Sequence, residues 1–176
     1  MNFLKKNLIS SYRFFFGNRY FYKLNRFIFL LSVKGMGILN FENPKVSGEN
    51  NIIKLLSNNF KNETIIFDVG ANIGNFSKLI MERFAKPTIY GFEPHPKNYA
   101  KLKKCLANER CKTFNTAFGN KSGFTYLFDK NNKGTTHASL YKEAITELHK
   151  NKAFKTKIKI DTIDDFVKKN RIKKIN

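Results

Sequence analysis

The stretch Thr64-Ile65-Ile66-Phe67-Asp68-Val69-Gly70 constrains this chain more than any other. It is a short, β-branched, apolar run closed by a glycine, the pattern of a strand buried on both faces. Five residues, Ala71 to Asn75, separate it from Phe76, Leu79, Ile80 and Phe84, whose i, i+3, i+4, i+8 spacing is a helical stripe. A buried strand that passes so quickly into a helix opens a βα unit and needs parallel neighbours. They follow. Thr88 to Glu93 reads as a second strand, Tyr99, Leu102 and Leu106 stripe a second helix entered through Pro94 and Pro96, and Cys111 to Ala117 reads as a third strand. The β-α-β-α-β order predicts an α/β fold: a parallel sheet with flanking helices and right-handed crossovers.

Around this centre the pattern is less regular. Residues 1–60 read as a basic, aromatic-rich helical extension and 61–176 as the α/β domain. Leu24, Phe27, Ile28 and Leu31 follow helical spacing, Gly35 to Pro44 is turn-rich, and Ser47 is a plausible N-cap for a helix ending near Asn59. Phe124 to Phe128 and Phe154 to Ile160 read as strands, the second with one wet face carrying Lys155, Lys157 and Lys159. A helix is expected over Ser139 to Lys150, and a shorter one capped by Asp161 with Asp164 at its third position. Ile172 to Asn176 reads as the beginning of a further strand.

Composition narrows the function classes. The net charge is +20, which admits nucleic acid, anionic membrane surfaces and acidic small molecules as partners. Yet 27 of the basic residues are Lys and 6 are Arg, and there are 22 Asn, a bias typical of AT-rich coding. Arg is the side chain that forks onto phosphate and guanine, so a dedicated nucleic-acid reader is not expected. The charge is spread along the chain except in residues 1–41, which hold seven basic residues and no acid, interleaved with aromatics. Helical packing on the main domain and peripheral membrane contact through 1–34 are both open for that segment. The start lacks the uninterrupted apolar core of a secretory signal, and the longest apolar run, Phe27 to Leu31, falls far short of a membrane span. Two cysteines, Cys105 and Cys111, are too few and too far apart for a zinc site, so no metal is expected; free thiols suit a reducing cytoplasm.

Chemistry concentrates in Asp68-Val-Gly70-Ala-Asn72-Ile-Gly74-Asn75-Phe-Ser77. Gly70 suits a tight turn open to a ligand, Gly74 a close approach of helix to strand and ligand, and Asn72 a left-handed backbone. Neither G-x-G-x-x-G nor a P-loop is present, and an acid in the turn sits badly beside a pyrophosphate. It suits a cofactor with an ammonium and a sulfonium. Glu93, 25 residues after Asp68, stands where a carboxylate accepts ribose hydroxyls. These features describe S-adenosylmethionine.

The residues FDVGANIGNFS (67–77), GFEPHPKNYAKLKK (91–104), FNTAFGNKSG (114–123) and IKIDTIDDFVKKNRIKKIN (158–176) resemble the FkbM-type S-adenosylmethionine-dependent methyltransferases. The resemblance covers about 47–176. It implies a Rossmann-like class I methyltransferase domain, with Asp68, Gly70, Asn72 and Gly74 along the methionine part of the cofactor, Glu93 on the ribose, and Asn115 and Ala117 near the adenine. It also implies O-methylation of a sugar or other small-molecule hydroxyl. In that family Ile172 to Asn176 would lead into strand four, so the chain is expected to be truncated there, with strand one left at an open edge and homo-oligomerisation one way to cover it. The catalytic base is not identified; His137, in a Gly/Thr/Ser loop, is a candidate. Two other readings stay open: a non-catalytic fragment acting as a basic membrane-surface or partner-binding module, and a nucleic-acid methyltransferase.

Overall fold

The computed structural model describes residues 3–38, 45–60, 63–131, 134–135, 138–148 and 152–176. They form two compact units, Met1–Ile52 and Ile53–Asn176. In the first, helix α1 (Phe3–Phe16) and helix α2 (Tyr22–Gly35) are joined by a 3-10 turn, Arg19–Phe21. The Asn18 side chain caps that turn by accepting from the Tyr20 N–H. The Asn25 amide donates to the Phe16 carbonyl at 2.8 Å and accepts from the Tyr12 hydroxyl, which ties α2 to α1. Helix α3 (Glu49–Asn59) follows, with Glu49 in its first turn where the helix dipole favours an acid.

The second unit holds β1 (Thr64–Val69), α4 (Asn75–Arg83), β2 (Pro87–Phe92), α5 (Pro96–Cys105) and β3 (Cys111–Phe114). The three strands form a parallel sheet in the order β1-β2-β3. Its two faces are covered differently. Ile66 and Ile89 pack with Ile53, Ile80 and Phe84 on one side, and Leu102 of α5 and Leu106 at its C-cap pack beside Ala71. On the other side stands helix α6 (Ile163–Lys169) with a single aromatic plug. Phe166 meets Phe67, Tyr90, Phe92, Phe114 and Phe118 edge-on, at ring separations of 4.9–6.2 Å. Edge-to-face geometry sets the positive ring edge of one partner against the negative face of the other. Five of the chain's 19 phenylalanines meet here.

A second sheet, ordered β4-β6-β5, joins β4 (Ala117–Phe118), β5 (Gly123–Asp129) and β6 (Phe154–Asp161). β4 runs parallel to β6, and β5 runs antiparallel to it. The alternation in β6 holds for Ile158, which is buried while Lys155, Lys157 and Lys159 are exposed. The wet face is also aromatic: Lys155 lies 3.6 Å from the Tyr126 ring centroid and Lys157 lies 4.8 Å from that of Phe124.

Three expectations change. The third strand is two strands, because the backbone breaks at Asn115 and Thr116 and Ala117–Phe118 passes to the second sheet. The short helix is capped by Thr162, whose hydroxyl accepts from the Asp165 N–H; Asp161 ends β6 and accepts from Ser122 and the Thr162 N–H. In place of a regular helix over 139–150, Ser139 bridges to Phe128 and a π-helical turn occupies Ala144–Leu148. Residues 149–150 of that expected helix lie outside the described residues.

A fourth expectation also changes: Ile172 to Asn176 forms no strand, although its last residue reaches the outer edge of β1. Asn176 donates its N–H to the Ile65 carbonyl at 2.9 Å, and its side chain accepts from the Ile65 N–H.

Candidate active site

Parallel strands bring their carboxyl ends to one edge of the sheet, and ligands of such sheets bind there. Here that edge is stitched together. Gly70 and Ala71 both donate N–H groups to the Phe92 carbonyl at 2.9 Å, and Glu93 donates its N–H to the Phe114 carbonyl. The turn after β1 thus sits over the end of β2, and the turn after β2 over the end of β3.

Three positive φ values shape the first turn: Gly70 at 84°, Asn72 at 50° and Gly74 at 93°. Asn72 therefore takes the left-handed conformation expected of it. The two glycines serve different ends. A side-chain carbon at Gly70 would meet nothing within 4 Å, so this backbone faces open space. One at Gly74 would come to 3.0 Å from Leu102 and Cys105 of α5. The close approach at Gly74 is therefore to the neighbouring helix, where the sequence suggested strand and ligand.

Two carboxylates anchor the turn from beneath. Asp68 is buried and accepts from the Ser77 hydroxyl at 2.6 Å, which ties the end of β1 to the first turn of α4. Glu93 is buried and accepts from the Asn72 N–H at 2.9 Å and the His95 N–H at 2.8 Å, so one side chain clamps both turns. Burial raises the Asp68 carboxyl above its ordinary value, against the Ser77 bonds that lower it. Burial likewise raises Glu93, against the two backbone donors, and the Asp68 charge adds to the rise. Asn115 stands at the break after β3, and its amide donates to the Glu93 and Pro94 carbonyls at 2.8 and 3.0 Å. Ala117 begins β4, two residues on. Gly70, Asn72, Glu93 and Asn115 are thus linked at the carboxyl edge, directly or through backbone partners, and Asp68, bonded to Ser77, stands at the same edge. Gly74 and Ala117 border them. His137 lies outside the described residues, as does His149.

Sequence reasoning left out Ser77 as a partner of Asp68, although it stands in the motif nine residues on. It also read His95 as a turn residue, and the structure buries it as the N-cap of α5, with Nδ1 accepting from the Lys97 N–H. Burial lowers the His95 imidazole, and the Asp129 charge opposes that shift. Asp129 is buried as well and accepts from Thr135 and the Lys130 N–H. No local pattern links residues 95 and 129, so only the fold could pair them. A hollow of about 630 Å³ lined by Thr64, Thr88, Arg171 and Lys174 lies at the amino ends of the strands, away from the glycine turn. Among the described residues, no three His, Cys, Asp or Glu side chains gather to hold a metal ion.

A family model for the FkbM methyltransferase domain matches residues 68–176, well over half of the chain. The chain belongs to the FkbM methyltransferase family. The match opens on Asp68 itself and runs through both sheets to Asn176, so the FkbM domain includes every candidate residue of the carboxyl edge. The protein is a methyltransferase, and the family implies a methyl donor. No curated protein and no solved structure matches the chain significantly.

Proposed function

We propose that this FkbM protein binds S-adenosylmethionine at the carboxyl edge of β1 and β2 and methylates a hydroxyl of a sugar or other small molecule. One observation carries the cofactor reading. Asp68 and Glu93 are two buried acids held beside an open glycine turn, both raised by burial, with the Asp68 charge adding to the rise at Glu93. A cation seated there relieves both penalties, whereas a pyrophosphate would aggravate them. The donor set therefore fits a ligand with an ammonium and a sulfonium. Gly70 offers room for close backbone approach, and Glu93 retains lone pairs beyond those its two backbone donors use.

The strand order β1-β2-β3 is also that of the first half of a doubly wound sheet, whose switch point falls on the outer edge of β1. That order supports a Rossmann-like, class I arrangement. When bound, the cofactor supplies a sulfonium-activated methyl group to an acceptor oxygen, and the work left to the protein is orientation and removal of the hydroxyl proton. The turn orients; Asp68 and Glu93 hold the turn and are not assigned the proton. The hydroxyl acceptor is drawn from the family resemblance.

Calorimetry with S-adenosylmethionine on the whole chain tests the first part. Glu93→Gln is expected to weaken binding by about tenfold to a hundredfold, the range for hydrogen bonds to a charged group. Absence of binding by the unaltered chain refutes the cofactor reading. Incubation with labelled donor and a panel of saccharides tests the second part: label on a sugar oxygen supports it, and label confined to nitrogen or to RNA overturns it.

A further inference from the structure

We propose that the N-terminal helical pair docks on an anionic lipid surface. Its apolar side chains would enter the headgroup boundary, with Lys and Arg against lipid phosphates. In α1, Leu4, Leu8, Tyr12 and Phe15 recur at i, i+4, i+8 and i+11 and share one face; Leu8 is 72% exposed and Phe15 63%. In α2, Leu24, Phe27, Ile28 and Leu31 make a second stripe, and all four are exposed. No residue of α1 is buried, and among those of α2 only Val33 is. Exposed apolar surface this continuous is what soluble proteins reserve for interaction sites. The pair is also a built unit, since Asn18 caps the turn and Asn25 bonds back to α1.

Charge selects the partner. Lys5, Lys6, Arg13, Arg19, Lys23, Arg26 and Lys34 stand in residues 1–41, and no Asp or Glu does. Such a surface complements anions. Pairing with a second copy would set seven basic residues against seven more. The exposed apolar residues also spread beyond the two stripes, to Phe3, Phe14 and Phe29. A fluid acyl boundary accommodates that spread better than a shaped protein groove. No helix among the described residues is long and apolar enough to cross a membrane. Each of these two has 14 residues, about 21 Å at the helical rise, which suits lying in the interface plane.

The test uses the full chain and vesicles of phosphatidylcholine alone or in equimolar mixture with phosphatidylserine. The chain has no tryptophan, so Phe15→Trp provides a single reporter. Cosedimentation is expected to favour the anionic vesicles by at least about tenfold, and added salt to weaken it. The reporter emission is expected to shift to the blue on binding. Lys5→Gln, Lys6→Gln and Arg13→Gln are expected to lower affinity by about fivefold for each charge removed. Leu8→Ser with Phe15→Ser is expected to lower it for both vesicle types, and all five positions are exposed, so the helices should persist by circular dichroism. No binding, equal binding to both vesicle types, or indifference to the three glutamine changes overturns the proposal. So does a dimer that forms without lipid and is lost in the serine variant.

Discussion

Alanine at Gly70 and at Gly74 should separate packing from ligand approach within one turn. Both glycines have left-handed backbones, φ 84° and 93°. That conformation costs an alanine about 1–2 kcal/mol at either site. Alanine also restricts the unfolded chain, by a similar amount at both positions, so that contribution cancels in the comparison. At Gly70 the new methyl meets nothing within 4 Å, so the backbone cost stands alone. At Gly74 it comes within 3.0 Å of Leu102 Cδ1 and Cys105 Sγ and 3.3 Å of Leu106 Cγ. Leu102 is fully buried and cannot retreat. Overpacking of this kind adds about 1–3 kcal/mol. Gly74→Ala should therefore lose about 2–5 kcal/mol and Gly70→Ala about 1–2 kcal/mol. Urea unfolding followed by far-ultraviolet circular dichroism measures both. Affinity for S-adenosylmethionine should rank the other way, because the Gly70 methyl enters the space proposed for the cofactor. Equal losses of stability would refute the packing role of Gly74. Unchanged affinity in Gly70→Ala would refute the placement of the cofactor.

Other substitutions probe the frame around the turn. Asp68 and Glu93 have raised carboxyls, so the folded chain holds protons that the unfolded chain releases; stability therefore falls as pH rises from about 4 through the raised values. Asp68→Asn removes the Asp68 share of that dependence, keeps an acceptor for Ser77, and is expected to be at least as stable as the parent at neutral pH while binding cofactor less tightly. A variant that loses more stability at neutral pH than in mild acid contradicts this. Phe166→Ala should cost about 3–5 kcal/mol by emptying the centre of five edge contacts, and an unfolding midpoint close to the parent's would argue against α6 as the cover of that face. Thr162→Ala should cost about 1 kcal/mol through loss of the cap, with Asp161→Ala leaving the cap intact; the reverse order in thermal unfolding would restore Asp161 as the cap.

The repeating pattern of the parallel sheet was legible because every signal was local. A β-branched run, a glycine and an apolar stripe of period 3.6 lie within twenty residues, and each needs only its own neighbours to be read. The same holds for Asn72, whose left-handed backbone follows from its place in the turn. The break at Asn115 was not legible, because Cys111 to Ala117 is uniformly compatible with extended backbone. What splits it is competition between two sheets: β2 pairs with residues up to Phe114, and β6 takes Ala117 and Phe118. Asp161 and Thr162 are both competent caps, and Ser122, brought close only by the fold, draws the Asp161 carboxylate away.

The sequence by itself determined the α/β class, the glycine turn, the acids beside it and the FkbM resemblance, since these depend on residue type and short spacing. The tertiary structure alone decided what each residue touches. It set Gly74 against α5, tied Asp68 to Ser77, made Glu93 the clamp between two turns, and buried His95 in the electrostatic reach of Asp129. Those are contacts between segments separated by as many as thirty-four residues. Their geometry is fixed by strand register and helix packing, which no local pattern encodes.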